Sequence, residues 1–292
     1  VPKEKRVPEK VFVPPIKIQG IKTKLIPLIR QNVRMDKNSV WIEPFMGSGA
    51  VGFNIEPEQA VFADTNPHII EFYGRVKEGL ITPSNVRTFL EHEGKLLEQK
   101  DEAHYYQVRE RFNRDHDPLD FLFLNRACFN GMVRFNRDGE FNVPYGHKPC
   151  RFSKAYITKI VNQVAWVSGL LQRHSWGFFC QPFGITVAMA TEKDFIYCDP
   201  PYIGRHTDYY GSWDEKSEEE LHSALSGRGA RYMLSTWDHS RFRSNGYIET
   251  LWNDCHKTAK EHFYHIGATE ANRNSIVEAL LTNYDPGADL CI

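Results

Sequence analysis

The sequence predicts a doubly wound α/β fold, with a mostly parallel sheet that begins early, is interrupted by a mainly helical insertion, and is then completed. Three observations carry this. Short apolar runs alternate with turn and helix-start signals from Val40 onward. The stretch 76–174 then reads as mostly helical, and strand-like runs resume after it. A length of 292 residues suits one large domain, or one domain carrying a substantial insertion.

Taken in order, the first residues are charged and punctuated by proline, and read as a loose arm. Val40 to Glu43 reads as a strand, Pro44 to Gly49 as a turn into a helix, and Ala60 to Asp64 as a second strand. Pro67 is placed to open a helix at its first turn. Residues 84–130 look helical, including an apolar run from Pro118 to Phe129. Val133 to Val143 reads as a β-hairpin with Arg137-Asp138-Gly139 at its turn. Ser153 to Gln172 is an amphipathic helix with Ile157, Ile160, Val164 and Val167 on one side. Further strands are expected at Trp176 to Cys180, Phe195 to Cys198, Arg231 to Thr236, His262 to Ile266 and Val277 to Thr282. Residues 1–75 and 175–292 would form one unit and 76–174 the inserted one.

A hydrophobic content of 41% supports a real core and excludes wholesale disorder. No apolar run approaches the roughly 20 residues of a membrane span, and the N-terminus has no apolar signal segment. The six cysteines form no CxxC pair and read as free thiols of a cytoplasmic protein. Twelve histidines lack metal-ligand spacing, so no metal is expected. The net charge of −1 hides an uneven distribution. Residues 1–37 hold ten Lys/Arg against three acids and residues 103–174 hold eleven against six, leaving the rest acidic. Two basic segments on an acidic body can focus a polyanion onto one face; ordinary solvated surface is the other reading.

Three motifs carry chemistry. Phe45-Met46-Gly47-Ser48-Gly49 follows a strand, and two glycines one residue apart let backbone approach a ligand closely. It is neither GxGxxG nor a P-loop, and alone it is also a plain structural turn. Asp64 ends the next strand, where an acid accepts hydrogen bonds from ribose hydroxyls; Asp64-Thr65-Asn66-Pro67 is also good helix-capping sequence. Together the two favour a nucleoside-containing cofactor. The third, Asp199-Pro200-Pro201-Tyr202, decides the reading. Two prolines hold carbonyl and carboxylate oxygens in one orientation and add no N–H donors. Such oxygens accept both hydrogens of an exocyclic amino group and aim its lone pair at an electrophile, while Tyr202 offers a ring for a base to stack on.

FxGxG followed by DPPY, with an insertion between them, resembles the Dam-type (D12 class) DNA adenine-N6 methyltransferases, from about Val11 to Asn283. The resemblance implies S-adenosylmethionine as cofactor, a doubly wound methyltransferase sheet, and a DNA-recognition module in the insertion. Asp199, Pro200, Pro201 and Tyr202 would be catalytic. Ile18, Lys22, Phe45, Gly47, Gly49, Asp64, Phe183 and Asp199 would contact the cofactor. Lys17 would meet the guanine before the target adenine. Asn125 to Asn136 and Gly139 to Pro144 look like the family's target-recognition segment. Arg126, Phe129, Asn130, Arg134, Asn136 and Asn142 are its DNA-binding candidates, with Arg134 as base reader and Phe129-Asn130 entering the stack that the target leaves. Arg273 is a further phosphate candidate.

Much of the wording, including Gly20-Ile21-Lys22-Thr23-Lys24 and Phe121-Leu122-Phe123-Leu124-Asn125-Arg126, is similar to the EcoRV-type members. That implies methylation of the first adenine of GATATC, a monomer acting on double-stranded DNA, and a cognate restriction endonuclease acting independently. GATC is the second reading. An amino-methyltransferase acting on RNA or protein glutamine and a non-catalytic DNA-binding relative are the other classes. Asp238 and His239, after a strand, read as substrate-positioning residues.

Overall fold

The computed structural model describes residues 10–203, 213–240, 243–263 and 275–288. After an extended N-terminal segment come α1 (Ile26–Asn32), β1 (Val40–Glu43), α2 (Ala50–Ile55), β2 (Gln59–Asp64) and α3 (Pro67–Lys77). The insertion contributes α4 (Pro83–Lys100), α5 (Glu102–Asp115), α6 (Pro118–Ala127) and α7 (Lys154–Arg173). The chain then returns through β3 (Ser175–Cys180), α8 (Phe183–Ala188), β4 (Phe195–Cys198), α9 (Glu215–Ser226), β5 (Arg231–Ser240), α10 (Tyr247–Thr250), β6 (His256–Phe263) and β7 (Ser275–Thr282).

The seven strands lie in the order β3-β2-β1-β4-β5-β7-β6. The first five are parallel, and β7 runs antiparallel between β5 and β6. Helices cover both faces, so the central strands are apolar throughout; all four residues of β4 are buried. Alternation sorts them: Trp41 joins a core with Phe53, Phe62 and Trp176, while Ile42 joins the opposite one with Ile196, Leu234 and Trp252. The first core continues through Phe72 and Tyr73 into α4 to α7.

Helix starts follow the expected chemistry. Asn66 accepts from the His68 amide at 3.0 Å ahead of Pro67, and Thr82 and Asn85 form a capping box around Pro83. Asp117 caps α6 ahead of Pro118. In the insertion, Arg111 of α5 clasps Glu93 of α4 at 3.1 Å and Asp120 of α6 at 2.5 Å.

Two elements differ from expectation. The hairpin over 133–143 is reduced to a single bridge between Phe135 and Phe141. The Asn142 amide donates to the Arg134 carbonyl at 3.2 Å, but the Asn142 carbonyl accepts from the Arg134 guanidinium at 3.3 Å and so is not returned to the ladder, while Asn113 holds both outward-facing backbone groups of Phe141 at 2.8 and 3.2 Å. β6 begins at His256 rather than His262, because it is an edge strand whose His-Lys-Thr-Ala-Lys-Glu sequence has no apolar face to read. Ile266 lies outside the described residues.

Candidate active site

The order of successive strands reverses between the parallel neighbours β1 and β4, so the crevice beyond their carboxyl ends is where a ligand binds in such folds. Glu43, Asp64 and Asp199 all stand at or just beyond strand ends there. The turn after β1 needs its glycines. Gly47 and Gly49 adopt φ of 49° and 74°, and a Cβ on Gly49 would lie 2.6 Å from the Phe53 ring. Asp64 fastens this turn: its Oδ2 accepts from the Gly47 amide at 2.9 Å and its Oδ1 from the Asn66 amide at 2.9 Å. Burial holds its carboxyl above the usual carboxylate range against these bonds.

The N-terminal segment reaches the crevice because distant side chains stitch it down. Asn54 bonds both backbone groups of Phe12 at 2.8 Å, and Asn125 bonds both of Lys17 at 2.8 Å. Between them, Arg126 donates to the Pro15 carbonyl. Lys22 is thereby delivered, 5% exposed, to the DPPY turn. Its Nζ lies 2.9 Å from Asp199 Oδ1, 4.0 Å from Glu278 Oε1 and 4.9 Å from the centre of the Tyr202 ring. The Tyr202 hydroxyl donates to Glu278 Oε1 at 2.7 Å.

Burial opposes the Lys22 charge, but Asp199, Tyr202 and Glu278 outweigh it and hold its pKa well above the ordinary lysine value. Burial pushes Asp199 up to about 6 despite the pull of Lys22. Glu43 is pushed up to about 8 by burial, against the bond its Oε2 accepts from Trp41 Nε1 at 2.8 Å and with added repulsion from Asp199.

Most of these groups line one open cleft. It is lined by Lys22, Glu43, Gly47, Asp64 and Asp199 and, from the insertion, Val133. Ile18, Phe45 and Pro201 line it too, and Phe183 stacks behind Phe45 with centroids 5.4 Å apart. Pro200 is buried beneath the turn. Asp64, Asp199 and the Glu43 carboxyl, held largely protonated at neutral pH, leave acceptor capacity to spare beside one ammonium. A ligand carrying cationic groups and hydroxyls suits that donor set.

A family model described as D12 class N6 adenine-specific DNA methyltransferase matches residues 19–271. The chain belongs to that D12 class. This methyltransferase is similar to the DNA adenine methylase of Serratia marcescens, 32% identical over 224 residues that span 72% of this chain and 78% of that one. It is also similar to the DNA adenine methylase of Escherichia coli (strain K12), 28% identical over 289 residues spanning 93% and 95%. Adenine-specific methyl transfer to DNA is the activity of the class, and the parallel sheet is the methyltransferase fold expected of it.

The methyltransferase distributes its expected DNA-binding residues unevenly. Phe129 is 50% exposed, and Asn130 beside it is exposed with a φ of 54°. Lys17 is half-buried; burial and the nearby Arg126 and Arg151 charges bring its pKa down to about 8. Arg126, expected at the DNA, is 4% exposed; it donates to the Pro15 carbonyl and at 2.7 Å to Gln163 Oε1, and so anchors the N-terminal segment. Asn136 is spent on its own turn, where its Oδ1 accepts from the Asp138 and Glu140 amides at 3.0 and 2.9 Å. Asn142 Oδ1 accepts from Arg134 Nε at 2.8 Å, which sets the Arg134 side chain along the hairpin. Arg273 lies outside the described residues. Asp238 and His239, expected after a strand, lie within the last residues of the longer β5, where Asp238 bonds His239 at 3.0 Å and Lys257 at 3.2 Å.

Glu43, Asn125 and Glu278 were not expected as site residues. For Glu278 a signal existed: it is the one charged residue in the strand Ser-Ile-Val-Glu-Ala-Leu-Leu-Thr.

Proposed function

We propose that this methyltransferase uses S-adenosylmethionine to methylate N6 of an adenine flipped out of double-stranded DNA, at the first adenine of GATATC. The carrying observation is that Lys22 meets both Asp199 and the Tyr202 ring, and that Lys22, Asp199 and the Asp64-fastened glycine turn line one cleft. Bound S-adenosylmethionine supplies a methyl group made electrophilic by its sulfonium.

The protein's own part is orientation. Asp199 and the Pro200 carbonyl accept the two N6 hydrogens, which turns the amino lone pair toward the methyl. Tyr202 carries the Lys22 ammonium on one side of its ring and stacks the base on the other. Ile18, Phe45, Gly47, Gly49, Asp64 and Phe183 hold the cofactor, with Lys22 and Asp199 at its reactive end. Alignment of the two reacting groups supplies most of the acceleration, and no covalent enzyme intermediate is needed.

Residues 76–174 serve as the target-recognition unit and the rest as the catalytic one. Arg134 reads a guanine, Phe129 and Asn130 fill the space the adenine leaves, and Lys17 meets the preceding guanine. Similarity of sequence wording to the EcoRV modification methyltransferase supports GATATC, a cytoplasmic monomer, and a separate cognate restriction endonuclease. The test is transfer of labelled methyl from S-adenosylmethionine to duplex DNA, RNA and protein in parallel. N6-methyladenine in duplex DNA supports the reading; label confined to RNA or to protein glutamine overturns it.

A further inference from the structure

We propose that Glu278 is a positioning residue of the reaction: anchored in β7, it holds the Tyr202 hydroxyl and divides Lys22 with Asp199. This rests on the functional reading above. Glu278 is 2% exposed and sits among Ala279, Leu280 and Leu281, which are equally buried. A carboxylate in such a place is costly unless charge and hydrogen bonds compensate it. Here Tyr202 at 2.7 Å and Lys22 at 4.0 Å, both on the site side, contribute to that compensation.

β7 is a rigid base for this. It is paired on both edges, with Glu278 in register with Trp237 of β5 and Lys260 of β6. Tyr202, in contrast, lies in a turn beyond β4, outside the ladder. A fixed acceptor on a doubly paired strand therefore sets the plane of a ring that the chain itself leaves outside the sheet.

The other titratable groups around the pair are Tyr197 and Asp199 at the end of β4, Glu43 at the end of β1, and Lys22 from the N-terminal segment. From β6, Lys260 donates to the Lys24 carbonyl at 3.1 Å. Two consequences follow. Loss of the Glu278 charge removes a repelling neighbour of Asp199, so Asp199 ionises at lower pH. Loss of the Tyr202 contact frees the ring and slows transfer.

The experiment is single-turnover methyl transfer to a duplex containing GATATC and GATC, from about pH 5 to 8, where a group near Asp199's pKa is resolved. The native protein, Glu278→Gln, Tyr202→Phe and the double variant are compared. We expect Glu278→Gln to lower the maximal rate about tenfold, the scale of one hydrogen bond to a charged group. Its acid limb should move to lower pH, and it should add little to the loss caused by Tyr202→Phe. Glu278→Asp keeps the charge while drawing the oxygen back, and should lose rate with the limb in place; it decides the matter if the Gln variant does not fold. An unmoved limb in Glu278→Gln, fully additive losses, or a native rate in Glu278→Asp overturns the role of Glu278. No methyl transfer to DNA by the native protein overturns the functional reading instead.

Discussion

Lys22 Nζ and Asp199 Oδ1 lie 2.9 Å apart, joining the N-terminal segment to the DPPY turn across 177 residues of chain. The pair is the reason a buried carboxylate at the end of β4 keeps a charge near neutrality. Lys22→Met should raise the Asp199 pKa above its present value of about 6 and push the acid limb of methyl transfer toward neutral pH. Asp199→Ala should abolish transfer in a single-turnover assay, since the amino group loses its main acceptor. Near-native turnover by the Ala variant would sink the mechanism.

The native protein should lose activity as pH falls through about 6, where Asp199 takes up a proton and ceases to accept from N6. The rate constant for transfer, measured at saturating DNA and cofactor, gives this limb directly. A profile flat down to about pH 4.5, near the ordinary carboxylate value, would show that Asp199 is not the group that titrates.

Glu43 makes a separate prediction about stability. Its folded pKa of about 8 lies above the ordinary 4.5, so its contribution is fully present below about 4.5 and is lost as pH rises through about 8. Glu43→Gln cannot ionise and removes that decline. The melting temperature of the variant should therefore gain on the native protein between about pH 5 and pH 9. Parallel curves would mean that Glu43 is ionised throughout.

Asp64→Ala removes an acceptor shared by the Gly47 and Asn66 amides at 2.9 Å each. The loosened turn should cost about 1–3 kcal/mol of stability, and S-adenosylmethionine affinity should fall while DNA affinity changes little. Calorimetry with cofactor, beside a denaturant titration, separates the two. Unchanged cofactor affinity would reduce Asp64 to a turn-former.

Arg126 and Arg134 should behave oppositely, although sequence reasoning placed both at the DNA. Arg126→Ala strips a buried guanidinium from the Pro15 carbonyl and Gln163, and should cost about 3 kcal/mol or more of stability. Arg134→Ala should leave stability nearly intact and cost about 1–3 kcal/mol of discrimination at one base pair. Equal loss of affinity for all sequences in the Arg134 variant would make it a phosphate contact.

Features governed by neighbours in sequence were legible before the fold was seen. The strands at Val40, Ala60 and Phe195 are continuous apolar runs, and the glycine turn and DPPY carry their own backbone restrictions. What failed depended on partners far along the chain. Arg126 meets a carbonyl 111 residues away and Asn125 meets Lys17 at a separation of 108, so neither role could be read locally. Asn136 read as a DNA-binding candidate because an asparagine that organises its own turn has the same local sequence. Glu278 was missed because a lone acid in an apolar strand acquires meaning only when β7 is known to run beside β5, over the site.

Sequencing that detects N6-methyladenine in DNA from cells expressing the protein tests the central claim most directly. Methylation at the first adenine of GATATC is expected, and is lost in the Asp199→Ala variant. Methylation at GATC instead would correct the target and leave the chemistry standing. DNA without N6-methyladenine, or methylation that persists in the Asp199→Ala variant, would contradict the account.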